Sequence, residues 1–376
     1  MRCEYLINPI GIDTPSPRFS WKLEPIEGVR SLTQTAWQIK LSDSEGTLLW
    51  DSGKVESSQS VNIAYEGESL SSNQDCNWQV RLWNGDNRIG PWSEPARFVM
   101  GLLDETEWTG PWIRLRLAQD VDHIWYRKAF SLEKIPERAL LHLASIGYHE
   151  LYINGHRVDD RVLAPSVSNL TKKVFYVSYD VESFLVPGKN VIGVWTGAAW
   201  AMADGSYGKG VWEQDSLIRC QFNTSDGLSL SSDESWKCKV SHVKHRGKWK
   251  GGGLGEYGGE RIDARLKVED WNLPGYDDSL WLHASAYTDE GLSEVRKQRR
   301  DSILNKLGRI RLKAQQHEPD RKVKQMNPVS MRYDPETDQA RFDMIQRLRK
   351  IASTGRSLML NVDRDEMDAK LLHSLR

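Results

Sequence analysis

Residues 78–83 read Trp-Gln-Val-Arg-Leu-Trp, and residues 37–41 read Trp-Gln-Ile-Lys-Leu. In both segments apolar and polar side chains alternate, which is the pattern of a β-strand with one buried face. Turn-forming residues separate such segments from their neighbours, as in Asp-Ser-Glu-Gly at 43–46 and Asn-Gly-Asp at 84–86. Several short strands at this spacing predict a small antiparallel β-sandwich over residues 1–102.

A second group of strand patterns follows a linker at 101–112 that is rich in acidic residues and Trp. Leu-Tyr-Ile at 151–153 leads into Asn154-Gly155, and His-Arg-Val at 156–158 leads away. Asn-Gly between two such runs is a strong hairpin signal because both residues accept positive φ. Further strand patterns at 173–177, 190–195 and 217–222 predict a larger sandwich or jelly roll over residues 103–287.

The last segment, residues 288–376, has a different character. Between Arg296 and Gln325, Lys and Arg greatly outnumber Asp and Glu. No aromatic stacking residue interleaves these basic residues, which favours a solvated connector over a nucleic-acid arm. We therefore expect a basic connector followed by an incomplete third β domain. The predicted fold class is all-β, with tandem antiparallel sandwiches.

Composition limits the classes of function. The 376 residues include 51 Lys or Arg and 52 Asp or Glu, so the net charge of −1 argues against nucleic acid or an anionic membrane as a partner. The longest uncharged apolar stretch, Val191–Ala203, is too short to span a bilayer, and no apolar signal segment opens the chain. The expected location is therefore cytoplasmic. The four cysteines form no C-x-x-C pair, so we expect no metal site, and we assign no cofactor.

The order of several motifs resembles the front of bacterial α-L-rhamnosidases of the large inverting glycoside hydrolase family. The similarity begins with Arg-Cys-Glu-Tyr-Leu-Ile-Asn-Pro-Ile-Gly-Ile-Asp at 2–13 and Pro-Arg-Phe-Ser-Trp at 17–21. Residues 91–98 resemble the end of a fibronectin-type-III-like module. Residues 144–158, 176–181 and 188–194 resemble that family's jelly-roll, carbohydrate-binding-like domain, and residues 258–265 and 271–281 close it. Each string is short, but their colinear order over residues 1–287 is a specific signal of resemblance to this family.

The resemblance implies the non-catalytic β-domains of such an enzyme. In that family, hydrolysis takes place in an (α/α) barrel that follows the β-domains and requires a pair of acidic groups. The family's string Asp-x-x-x-Arg-x-Glu-x-x-Gly-Trp does not occur in this sequence, and no helical tract here is long enough to build the barrel. We therefore predict an accessory portion that is inactive alone, and we assign no catalytic residue. A separately encoded catalytic barrel is one expected partner, and L-rhamnose or a rhamnoside is another.

Sugar sites combine an aromatic face with side chains that bond ring hydroxyls. The candidates for a carbohydrate site in the second domain are Tyr148, Asn154, Trp200 and Tyr207. The sequence departs from the family nearby, because Ala-Pro-Ser-Val-Ser at 164–168 stands where the family commonly has Ala-Pro-Gly-Trp-Thr. Two alternatives stay open at this stage: an active rhamnosidase that cleaves terminal rhamnosides, and a structural or adhesion protein built from β-modules.

Overall fold

The computed structural model describes residues 1–24, 32–117, 123–197, 199–202, 216–246, 259–288, 297–298, 301 and 310–321. These residues contain twenty-three strands and four short 3-10 helices, so the predicted all-β class is confirmed. Met1–Arg321 form one compact unit. Within it, two β-sandwich modules follow one another along the chain. Tyr207 and the greater part of the predicted third domain lie outside the described residues.

The first module contains a three-stranded sheet and a five-stranded sheet. Their strands are β1 (Arg2–Cys3), β2 (Ile10–Ile12), β3 (Arg18–Ser20), β4 (Gln34–Asp43), β5 (Leu48–Asp51), β6 (Ile63–Ala64), β7 (Asp75–Asn84) and β8 (Ala96–Met100). The sheet orders are β1-β3-β6 and β2-β8-β7-β4-β5. The alternating segments at 37–41 and 78–83 lie in β4 and β7, which pair with Ile39 opposite Val80. The core of the module is aromatic, and the rings of Phe19 and Trp78 lie 4.5 Å apart.

The second module contains a six-stranded and a seven-stranded sheet. The strands are β9 (Ile113–Arg114), β10 (His123–Leu132), β11 (Ala139–Ser145), β12 (Tyr148–Ile153), β13 (His156–Arg157), β14 (Lys173–Asp180), β15 (Gly188–Gly197), β16 (Ile218–Thr224), β17 (Ser229–Ser231), β18 (Lys237–Val240), β19 (Val243–Arg246), β20 (Gly259–Ile262), β21 (Leu282–His283), β22 (Ser285–Ala286) and β23 (Arg311–Ala314). The 3-10 helices are Glu105–Glu107, Glu182–Phe184, Ala199–Met202 and Ala264–Leu266. β19 and β20 form a separate two-stranded sheet. The orders of the two large sheets are β13-β12-β15-β10-β18-β21 and β22-β9-β16-β11-β14-β23, with β17 beside β16.

The core of the second module lies between these sheets, and side-chain alternation determines which residues enter it. On β14, Val177 and Tyr179 point into that core, whereas Val174 and Tyr176 belong to a separate cluster. Successive side chains of a strand point to opposite faces of a sheet. The second cluster therefore covers the outer face of the seven-stranded sheet. This face is buried beneath other parts of the chain, including Leu102 and Trp108 of the linker between the modules.

The predicted hairpin at Asn154-Gly155 is confirmed. β12 and β13 pair across it, and the two turn residues have φ of 52° and 87°. A side chain at Gly155 would also collide with Leu273, because an added Cβ would lie 2.4 Å from its Cδ2 atom. Glycine is therefore required here both by the backbone conformation and by the packing of the neighbouring loop.

Candidate functional site

Two of the four predicted sugar-binding residues lie side by side. Tyr148 opens β12 and is half-buried, and Trp200 lies in the 3-10 helix at Ala199–Met202 with only 1% of its surface exposed. Their rings meet edge to face with centroids 6.3 Å apart. Burial, and then the charge of Asp320, raises the pKa of the Tyr148 hydroxyl. In this pair, the partly accessible Tyr148 ring is the one that a ligand could touch.

Asn154 has a structural environment that the sequence did not reveal. Its side-chain amide donates to the Phe184 carbonyl oxygen at 2.9 Å and to Asn190 Oδ1 at 2.8 Å. Its own Oδ1 accepts the Val191 N–H at 2.8 Å. These three bonds tie the hairpin to the start of β15 and to the 3-10 helix that precedes it. The polar atoms of Asn154 are therefore engaged within the protein.

Tyr148 and Trp200 belong to a larger aromatic cluster on the outer face of the seven-stranded sheet. We call it the outer cluster, and its aromatic members are Trp108, Trp112, Tyr148, Tyr176, Trp200 and Tyr287. Two of these, Trp108 and Trp112, come from the linker that sequence analysis treated only as a connection. Their close spacing in Trp-Thr-Gly-Pro-Trp at 108–112 was the available signal, since two indoles in one short linker indicate a segment packed against a surface.

Residues 310–321, which we call the strap, complete this surface. β23 of the strap pairs in parallel with β14, and Lys173 lies opposite Arg311. The strap also contacts the first module, because the Asp13 carboxylate accepts the Ala314 N–H at 2.9 Å and Gln316 Nε2 at 2.8 Å. Ile310 and Leu312 pack against the outer cluster. The strap is distant in sequence from both modules, yet it contacts both of them.

A cavity of about 170 Å³ lies where the linker, the sheet and the strap meet, and we call it the linker cavity. Its lining includes Glu105, Trp112, Val174, Arg219, Arg311 and Leu312. The guanidinium of Arg219 is held in place, because it donates Nε to the Gly110 oxygen at 2.7 Å and Nη2 to the Trp108 oxygen at 2.8 Å. One carboxylate, two guanidinium groups and an indole therefore surround a small space that is partly open to solvent.

Two neighbouring carboxylates, Asp277 and Asp278, lie in the loop before β21, and Asp278 has a structural role there. Arg127 is 2% exposed, and its Nε donates to Asp278 Oδ2 at 2.6 Å. The same guanidinium donates to the carbonyl oxygens of Trp271, Leu273 and Tyr276. This buried arginine fastens the loop before β21 over the six-stranded sheet, where the rings of Trp125 and Trp271 stack 5.4 Å apart.

Several buried histidines and cysteines of the described residues are held in their neutral forms. Burial lowers the pKa of His142 and of His149 to about 3. Burial also raises the pKa of Cys76 and of Cys238 to about 12, so neither thiol is a thiolate at neutral pH. Across the part of the chain that the structure describes, no group of three or more His, Cys, Asp or Glu side chains is placed to hold a metal ion. No helix in that part is long and apolar enough to cross a membrane.

A small sandwich followed by a larger one, joined through an aromatic linker, defines a class of tandem β-modules. Two family models match the chain in this order: the Rha78A-like N-terminal immunoglobulin domain over residues 1–104, and the α-L-rhamnosidase N-terminal domain over residues 134–306. The chain therefore carries the N-terminal β-domains of the α-L-rhamnosidase family. The resemblance inferred from the sequence is confirmed.

Individual relatives agree with this assignment. An α-L-rhamnosidase from Formosa agariphila is 32% identical over 327 residues, which cover 80% of this chain and 34% of that protein. The structure of α-L-rhamnosidase from Dictyoglumus thermophilum matches with a TM-score of 0.66 at 33% identity, covering 76% of this chain and 33% of that one. The Streptomyces avermitilis α-L-rhamnosidase complexed with L-rhamnose has a TM-score of 0.62 at 18% identity, which shows a shared fold, over 76% of this chain and 44% of that one. The chain spans about a third of the length of the curated relatives it matches.

Proposed function

We propose that this chain is the accessory portion of an α-L-rhamnosidase-like protein and does not hydrolyse rhamnosides by itself. The observation that carries the proposal is the coverage of the relatives: the matches take up 34% and 33% of the two Formosa agariphila α-L-rhamnosidases. In this proposal the β-modules support and orient a catalytic barrel, which supplies the acid and the base.

The electrostatics of three described carboxylates support this division of labour. Inverting glycoside hydrolysis needs two carboxyl groups roughly 6.5–9.5 Å apart, one of them kept protonated by a raised pKa. Asp51, Asp263 and Asp277 instead have lowered pKa values. For Asp263 the largest cause is the hydrogen bond from the Arg265 side chain, and for Asp277 it is the Ser279 backbone N–H. These shifts favour carboxylates that stay ionised, the opposite of what a general acid needs.

The test is a hydrolysis assay of the purified chain on an aryl α-L-rhamnoside, with an intact-mass check. A full-length α-L-rhamnosidase relative serves as the positive control in the same buffer. We expect aryl release at the buffer rate from this chain and rapid release from the control. Turnover above buffer by a chain of correct mass would show that the proposal is wrong and that the chain is itself a hydrolase.

We further propose that the second module recognises a rhamnoside through the face that carries Tyr148. The half-buried Tyr148 ring packed on Trp200 supports this, since an aromatic face is one half of a sugar site. The relatives are named for action on α-L-rhamnosides. Titration with L-rhamnose should show saturable binding that Tyr148→Leu abolishes. Trp50→Leu, which removes a partly buried ring of the first module, is the control. Equal rhamnose affinity in wild type and Tyr148→Leu would remove Tyr148 from any such site.

A further inference from the structure

We propose that the linker cavity binds a single monosaccharide that carries a carboxylate, a sugar acid of the hexuronate class. The cavity lies between the linker, the seven-stranded sheet and the strap, and its chemistry differs from that of a site for a neutral deoxy sugar. Uronate binding there is independent of rhamnoside hydrolysis and of rhamnose recognition at Tyr148, so either can fail while the other stands.

The size of the cavity selects one small ring. An engineered protein cavity of roughly 150 Å³ accepts benzene, which is a six-membered ring without substituents. The linker cavity has a volume of about 170 Å³ and is partly open to solvent. One pyranose ring can therefore enter with its substituents directed outward, whereas an oligosaccharide would extend beyond the enclosed space.

The charges of the lining select an acid. Arg219 and Arg311 bring two positive charges, and Glu105 brings one negative charge. An arginine binds a carboxylate through two parallel N–H···O bonds, which a sugar hydroxyl cannot match. Two carbonyl bonds hold the Arg219 guanidinium, so little conformational entropy is lost when it meets an anion. These three charges sum to +1, and the single negative charge of a uronate would offset that excess.

The remaining lining matches the rest of a sugar ring. The half-buried indole of Trp112 offers an apolar face to the ring's C–H groups. The Glu105 carboxylate accepts hydrogen bonds from ring hydroxyls, and a simple carboxylate such as acetate has no such hydroxyls to give. Preference for a sugar acid over both a neutral sugar and a simple acid is therefore the distinguishing property of this cavity.

Ligand binding is also coupled to docking of the strap. Arg311 and Leu312 belong to the strap, whereas Glu105 and Trp112 belong to the linker and Arg219 to β16. The complete cavity exists only while the strap lies on β14. A ligand that binds the complete cavity must stabilise the docked strap by mass action.

The experiment is a calorimetric titration of the whole chain with sodium D-glucuronate, D-glucose and sodium acetate. We expect saturable glucuronate binding that weakens as salt is added, and much weaker binding of the other two. Arg311→Gln should weaken glucuronate binding about tenfold, because it removes one charged hydrogen-bonding group. Arg321→Gln removes the same charge at the other end of the strap and should keep the wild-type affinity. Glucuronate should also slow amide exchange at Ala314 and Gln315.

Several results would overturn the proposal. These are the absence of glucuronate binding, equal binding of glucose or acetate, or unchanged affinity in Arg311→Gln. If Arg311→Gln loses its fold, the salt dependence and the ligand series in the wild-type chain still decide the question. Turnover in the aryl rhamnoside assay bears on the proposed function alone.

Discussion

At the scale of single residues, Asn154 shows how a residue that suits sugar binding can instead hold the fold. It adopts φ of +52° at the hairpin, and its side chain makes three hydrogen bonds to Phe184, Asn190 and Val191. Asn154→Ala should lower the free energy of unfolding by about 3 kcal/mol, because it leaves buried partners unpaired and places alanine in the left-handed region. Urea unfolding measures this loss.

Asn87→Ala is the matched control for Asn154→Ala. Asn87 also has a left-handed φ, of +59°, but it is exposed and accepts one bond from Lys54 Nζ. Its substitution should lower the free energy of unfolding by only about 1–2 kcal/mol, because alanine in the left-handed region is the main unfavourable change. A loss equal to that of Asn154→Ala would mean that the hydrogen bonds of Asn154 contribute nothing. If Asn154→Ala instead keeps its stability and loses sugar binding, Asn154 contacts the ligand and does not mainly stabilise the fold.

The buried histidines make stability depend on pH. His142 lies 2.7 Å from Ser178 Oγ and 2.7 Å from Asn73 Oδ1, and burial lowers its pKa to about 3. His149, beside Ser145 and Tyr179, has its pKa lowered to about 3 by burial and then by the Arg161 charge. The ordinary histidine pKa is about 6.5, so between these values the unfolded chain binds more protons than the folded chain. Stability is therefore lost as the pH falls from about 6.5 towards 3.

For each of these two histidines, the free energy of unfolding should change by about 1.4 kcal/mol per pH unit once that ring is fully protonated in the unfolded chain. Urea unfolding between pH 6.5 and 5 measures it while most carboxylates are still ionised. His142→Asn should lower stability at pH 7 and make the slope shallower. His156→Asn, at an exposed turn, should keep the wild-type slope because that side chain is in water in both states. A slope that His142→Asn leaves unchanged would contradict this assignment.

At the scale of elements, the sequence predicts what is local. Alternation identified β4 and β7, and Asn154-Gly155 identified the β12–β13 hairpin, because strand period and turn chemistry depend on neighbouring residues alone. The parallel pairing of β23 with β14 is not local, since well over a hundred residues separate the two strands. The four residues of β23, Arg-Leu-Lys-Ala, have only two apolar side chains to show alternation. The burial of Trp200 was also hidden, because it depends on which distant segments cover the sheet.

The strap gives a prediction at this scale. The Asp13 carboxylate accepts two hydrogen bonds from the strap, from the Ala314 N–H and from Gln316 Nε2, and lies 3.5 Å from Lys313 Nζ. Asp13→Ala should loosen the strap while both sandwiches stay folded, since their cores do not include Asp13. Hydrogen exchange should become about ten- to a hundredfold faster at Ala314 and Gln315, a loss of roughly 1–3 kcal/mol in local stability.

Asp13→Asn keeps one acceptor oxygen and should give an intermediate rate. Asp43→Ala, which alters an exposed turn of the first module, should leave exchange in the strap at the wild-type rate. If Asp13→Ala accelerates exchange equally throughout β4 and β7, the residue supports the first module rather than the strap, and the prediction is wrong.

At the scale of the whole molecule, a polar joint couples the two modules. Arg97 of the first module donates to Asp75 of the same module at 2.7 Å and to Asp180 of the second module at 3.1 Å. Arg138 of the second module donates in return to the Asn73 carbonyl oxygen, and its guanidinium lies 3.7 Å from Asp75. Close packing adds to these bonds, because a Cβ on Gly11 would lie 2.2 Å from Ser178 Oγ.

This joint predicts that the two modules unfold as one cooperative unit, since neither can lose its structure without leaving charged partners unpaired at the boundary. Calorimetry of the wild type should give one transition across residues 1–321. The double variant Arg138→Ala with Asp180→Ala removes side chains that the second module contributes, and it should split the transition in two. The double variant Asp263→Ala with Arg265→Ala removes an ion pair within the second module and should leave a single transition. Two separate transitions in the wild type would mean that the joint is too weak to couple the modules, and the β-domains could then not transmit a fixed orientation to a catalytic barrel.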